Sequence, residues 1–146
     1  MTLQQVATPP GESTRAARMR KPATVIGALA LATLALHLRD PHESGSWGLC
    51  PSAALGFWCP GCGGLRGVND LTELRLADAA SSNLVLVLAM PVVIFLLARW
   101  ALDSWRGTTR PPLSPRLGAT LLTLGLAALA VFTVLRNLPA GSWLAP

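Results

Sequence analysis

The residues of this chain whose type and spacing suit them to chemistry are its three cysteines, which stand as Cys50-Pro51 and Cys59-Pro60-Gly61-Cys62. Proline and glycine flank or separate them, which restricts the backbone to a tight turn. Four chemistries compete for that turn. In the first, Cys59 and Cys62 exchange electrons: Cys59 attacks, Cys62 resolves, and Cys50 is a third partner. No thioredoxin-like βαβ pattern surrounds the motif, which weakens this reading. In the second, the thiolates of Cys50, Cys59 and Cys62 hold zinc. A closed site takes four ligands, so one of His37, Asp40, His42 or Glu43 must complete it, and His42 is best placed. No second C-x-x-C pair is present, so zinc ranks below redox and no cofactor is expected beyond that one candidate. In the third, Cys50 bridges to Cys59 or Cys62 and ties the loop down, a stabilisation of about 2 to 4 kcal/mol. This reading ranks at least level with redox. In the fourth the thiols merely pack, which the flanking prolines make less attractive.

The elements that must position the cysteines follow from the pattern on either side. From Leu65 to Leu74, Arg66, Asn69, Asp70 and Glu73 share one face of a helix, and Leu65, Val68, Leu71 and Leu74 share the other. A short amphipathic helix lying along the outer membrane surface or tucked back against the bundle is expected here, with its positive N-terminal dipole beside the thiols. Arg66 and Asp70 stand four apart and are expected to pair, so bonding to Asp70 or Glu73 is favoured for Arg66 over a lipid headgroup or a substrate. Asn83 is expected to cap the apolar run behind it or to hydrogen-bond across helices. His37 is expected to cap the end of the first apolar run.

Three apolar runs dominate the remainder: Ala23 to Leu38, Leu84 to Ala98 continuing into Leu102, and Leu117 to Leu135. With 51% apolar and 13% charged residues and a mean hydropathy of +0.47, the chain belongs in a lipid bilayer. Spans are expected over about 23–39, 83–102 and 117–135, with a kink at Pro91. The row Ala119, Thr123 and Ala127 predicts close packing within the bundle or, as the lesser reading, a dimer face. Residues 1–22 read as a flexible basic cytoplasmic tail, and 40–82 as the loop and surface helix. A signal peptide cut near Ala30-Leu31-Ala32 is the lesser reading of the first run, because it leaves too short an apolar region.

The net charge of +5 is explained by its distribution. Arg15, Arg18, Arg20 and Lys21 precede the first run, and Arg99, Arg106, Arg110 and Arg116 lie between or beside the second and third. By the positive-inside bias these eight are cytoplasmic, and the cysteine loop is extracytoplasmic. The five tryptophans, Trp47, Trp58, Trp100, Trp105 and Trp143, all lie outside the charge-free runs, as interfacial indoles do. No basic face interleaved with stacking aromatics is present, so nucleic acid is not expected as a partner. The expected partners are the bilayer itself and a membrane protein or a second copy of the chain. Ionisable residues are missing from the body of the runs, which argues against a channel or an ion-coupled transporter.

The block Cys50-Pro51, then Cys59-Pro60-Gly61-Cys62-Gly63-x-x-Arg66, followed by a short helix and Asn83, resembles the bacterial membrane family known as domain of unknown function 2752. The resemblance covers about Gly48 to Leu97. The chain departs from the family pattern at Leu65, where threonine is usual, at Leu74-Arg75 in place of Gly-Asp, and at Leu84 in place of proline. The resemblance implies a small multi-pass protein of the bacterial cell membrane with the cysteine motif as its signature, supported by Pro60, Gly61, Gly63, Arg66 and Asn83. It brings no activity. The expected architecture is all-α, three spans with an extracytoplasmic cysteine loop and a surface helix. The expected function is a structural or accessory one with a disulfide-stabilised loop rather than catalysis, the alternatives being thiol-disulfide exchange through Cys59 and Cys62 and, below it, zinc binding.

Overall fold

Thr14 opens the first helix, its hydroxyl accepting from Ala17 N–H at 3.4 Å. Helix α1 then runs over Arg15–Leu38 in the computed structural model, which describes residues 14–43 and 51–145. The helix therefore starts eight residues ahead of the first apolar run, and 15–22 are helical. Arginine, alanine, methionine and lysine all favour helix, and the cap marks the start where hydrophobic periodicity is silent. Most of the expected tail, 1–13, lies outside the described residues.

A single turn α2, Pro51–Ala54, and helix α3, Gly64–Thr72, precede the long helix α4, Leu76–Arg106. The break in α4 falls at Asn83, where φ is −160° and ψ 93°, and not at Pro91. The Asn83 Oδ1 accepts from Leu86 N–H at 3.0 Å and so caps a second helical segment begun across a kink from the first. Gly107, at φ 73°, ends α4 in the left-handed conformation that glycine adopts without strain. Just beyond it Arg110 forks onto Asp103 with bonds of 2.7 and 3.0 Å. Ser114 caps helix α5, Pro115–Arg136, with Pro115 at its first position, and a 3-10 turn over Pro139–Leu144 follows. Among the described residues there is no strand.

Helices α1 and α3 pack on α4, and the 3-10 turn folds back onto both α5 and α4. Small residues set the closest approach: Ala79 is fully buried, and a Cβ at Gly67 would meet its carbonyl at 3.5 Å. Helices α1, α4 and α5 are each long and apolar enough to cross a membrane, and at most 11% of each apolar window is buried inside the protein. Water would not tolerate that much outward apolar surface, whereas lipid does.

The packing decides two points that the sequence left open. Asn69 and Asp70 are fully buried while Leu65 is 47% and Leu74 84% exposed, so α3 turns part of its polar face inward and leucines outward. The reason is the solvent: in a lipid setting the interior collects hydrogen-bonding groups that need partners, and leucine faces the apolar surroundings at no cost. Among the described residues the row Ala119, Thr123 and Ala127 is exposed and not buried within the bundle, because α5 joins the rest through its C-terminal turn and not along its length.

Candidate functional site

The carbonyls of the cysteine turn explain how the motif is held. Cys62 N–H donates to Cys59 O at 3.0 Å, closing the turn, and Gly63, at φ 76°, supplies the left-handed residue that lets α3 begin immediately afterwards. Asn83 Nδ2 donates to Pro60 O at 2.8 Å and to Cys62 O at 3.1 Å. From the far end of the chain, Arg136 Nη1 donates to Cys59 O at 2.9 Å and to Cys62 O at 3.2 Å. Asn137 completes the clamp by pairing with one residue in both directions: it accepts from Trp58 N–H and donates to Trp58 O, each at 2.9 Å. Three side chains from α4 and the end of α5 thereby fix the backbone from Trp58 to Cys62.

Within this frame the Sγ atoms of Cys59 and Cys62 lie 3.2 Å apart, and the Ser52 hydroxyl sits 3.4 Å from Cys62 Sγ. Cys62 is buried and Cys59 half-buried. The Cys59 thiol is more acidic than its ordinary 9.0, chiefly through a hydrogen bond from Ser52, then one from Cys62, which outweigh the opposing effect of burial, with lesser help from the Gly61 and Cys62 backbone. Behind the turn Arg136 is 1% exposed, lies over the Phe132 ring at 4.9 Å, and leaves Nε and Nη2 without hydrogen-bond partners among the described residues. No carboxylate among the described residues forms an ion pair with it. A guanidinium buried without a carboxylate favours a negative charge nearby, and a thiolate supplies one.

A second polar cluster lies beside the first. Asp70 receives a bond from Ser82 Oγ at 3.1 Å and an ion pair from Arg75 Nη2 at 2.7 Å, the latter outside the geometry of a directed hydrogen bond. Arg75 also reaches Glu73 at 3.1 Å. Arg75 therefore takes the pairing role expected of Arg66, which is exposed. Arg75 lies just past the end of α3 and can fold back over both acids, a geometry that helical spacing alone does not reveal. Asn69 Nδ2 donates to Leu36 O at 2.8 Å and His37 Nδ1 meets Thr72 Oγ1 at 3.0 Å, so the end of α1 is tied to α3. His42 Nδ1 contacts Asp40 at 2.7 Å, and its Nε2 approaches Asp70 at 3.5 Å. The His42 backbone N–H is the main cause of an Asp40 carboxyl held below 3.8.

The structure thus brings Cys59, Cys62, Pro60, Gly61, Gly63 and Asn83 together and leaves Arg66 and His42 outside that group. Cys50, the third cysteine of the bridge and zinc readings, lies outside the described residues. Among the described residues no three of His, Cys, Asp and Glu gather as a metal site. Sequence reasoning missed Ser52, Arg136 and Asn137. The one signal for Arg136 was a cation ending an apolar run with no acid near it in sequence.

The class defined by these features is an all-helical protein with three helices able to cross a membrane and a dithiol turn gathered at one end of them. Residues 50–97 match the model of a family described as protein of unknown function (DUF2752), the family that the cysteine block resembles. No curated protein and no solved structure matches the chain. Arg136 and Asn137 fall beyond the matched segment.

Proposed function

We propose that this is a multi-pass membrane protein that carries out thiol-disulfide exchange at the outer face of a bacterial cell membrane, with Cys59 as nucleophile and Cys62 as resolving thiol. The single observation that carries the reading is the pair of sulfurs 3.2 Å apart beside a buried guanidinium that has no carboxylate partner among the described residues. Asn83, Arg136 and Asn137 already hold the loop through its backbone, so the cysteines are not needed to tie it down. The placement outside follows from the charges: the motif lies at the end of α1 and α5 opposite to Arg15, Arg18, Arg20 and Lys21.

The partner is a disulfide in an exported protein. The Cys59 thiolate attacks one partner sulfur, the partner S–S bond breaks, a Cys59–partner disulfide forms and one thiolate leaves. Cys62 then loses its proton, attacks Cys59 Sγ and displaces the second partner sulfur as a thiolate. Two protons taken up by the leaving thiolates complete a two-electron reduction of the partner and oxidation of the dithiol.

The test is a Cys62→Ser variant in intact cells. The expected result is a mixed disulfide to Cys59, cleaved by dithiothreitol, together with labelling of wild-type Cys59 by a membrane-impermeant maleimide. Normal abundance of the Cys59→Ser variant is also expected. Loss of abundance with no trapped adduct would overturn exchange in favour of a scaffold whose loop Cys50 bridges. Labelling only after permeabilisation would overturn the orientation.

A further inference from the structure

At the opposite end of the bundle a groove of about 570 Å³ runs between α1 and α4, lined by Ala17, Arg20, Lys21, Thr24, Val25 and Trp100. Its chemistry changes along its length. Along α1 the lining runs from Arg20 and Lys21, where the apolar stretch begins, to Thr24 and Val25, and α4 contributes Trp100. The span from residue 17 to residue 25 is about 12 Å along a helix. Two neighbouring cations are already committed: Arg18 Nε donates to Ser104 O at 3.2 Å, and the Arg15 guanidinium lies over the Trp105 ring at 4.5 Å. Arg20 and Lys21 form no ion pair among the described residues, and the Thr24 hydroxyl is spent on Arg20 O at 2.7 Å. The groove thus presents positive charge at the level of headgroups and apolar surface immediately below.

We propose that this groove binds one anionic phospholipid, its phosphate held by Arg20 and Lys21 and the upper part of an acyl chain lying along Val25 and Trp100. A soluble phosphate would satisfy the cations and leave the apolar half unused. The occupant that fits both halves is a lipid.

The experiment is native mass spectrometry of the full chain, released from neutral detergent, titrated with phosphatidylglycerol and with phosphatidylcholine. Two cations near a headgroup favour the anionic lipid by about 30-fold. Phosphatidylglycerol adducts should therefore appear at roughly that much lower lipid concentration in the wild-type chain. The double variant Arg20→Gln/Lys21→Gln should bring the two lipids within about twofold, while Trp100→Ala should weaken both without changing their ratio. Arg106→Gln/Arg116→Gln removes the same charge away from the groove and should keep the preference. A preference lost equally in both double variants would overturn the site in favour of a general surface field. Displacement of phosphatidylglycerol by millimolar inorganic phosphate would overturn the lipid as occupant. Helicity by circular dichroism identifies any variant that fails to fold, and in that event Arg20→Lys/Lys21→Arg, which keeps the charges, must retain the preference or the proposal fails.

Discussion

Replacing Arg136 by methionine separates holding the motif from tuning its thiols. Cys59 O would keep its bond from Cys62 N–H at 3.0 Å, and Cys62 O its bond from Asn83 Nδ2 at 3.1 Å, so neither carbonyl is stranded. Two charge-assisted bonds are lost, but so is a buried guanidinium with two unpartnered nitrogens, and the net change in folding stability is within about 2 kcal/mol. The thiolate suffers more. The guanidinium that bonds the Cys59 and Cys62 carbonyls adds to the Ser52 and Cys62 hydrogen bonds that chiefly lower the thiol pKa, and at an effective dielectric of about 20 its loss is worth roughly 1 to 3 kcal/mol, or about one to two pKa units. The assay is the pH dependence of iodoacetamide alkylation at Cys59 in membranes, quantified by peptide mass spectrometry. In Arg136→Met the profile should move up by about one to two units, and the rate near neutrality should fall roughly 10- to 100-fold. Arg136→Lys, which keeps the charge and loses the fork, should recover most of the rate. Superimposable profiles for wild type and Arg136→Met would refute the electrostatic role.

Three further outcomes follow from particular geometries. Leu74 holds φ 61° with its side chain exposed, so Leu74→Gly should raise thermal stability in detergent by about 1 kcal/mol, a gain that Leu74→Ala should not reproduce. A Cβ at Gly141 would overlap the Leu135 carbonyl, so Gly141→Ala should displace the 3-10 turn and lower the melting temperature, read by circular dichroism. Because the native Cys59 pKa lies below 9.0, the thiolate contributes stability fully above that value, and the contribution is lost as pH falls through the lowered native value. Denaturant midpoints should therefore rise with pH in that window for the wild type and stay flatter for Cys59→Ser.

The elements were largely legible. Charge-free runs between arginines declare helices that lipid must surround, and Cys-Pro-Gly-Cys followed by glycine declares a turn that opens a helix. Boundaries were less so: α1 begins at Arg15, behind the Thr14 cap, because good helix formers follow it, which hydropathy does not register, whereas the Asn83 cap was legible as an amide heading an apolar run. The facing of α3 was not legible, because a polar face reads as outward only when water lies outside.

The all-helical class, the three apolar helices, the segregation of cations and the two thiols could all be read along the chain, since each is a property of local composition or spacing. What surrounds those thiols emerges from the folded arrangement. Arg136 lies 77 residues from Cys59, and Asn83 lies 21 from Cys62. Their meeting at the Cys62 carbonyl depends on how α4 and α5 are placed relative to one another. Helix lengths and side-chain packing set that registry, and no pattern within a single segment encodes it.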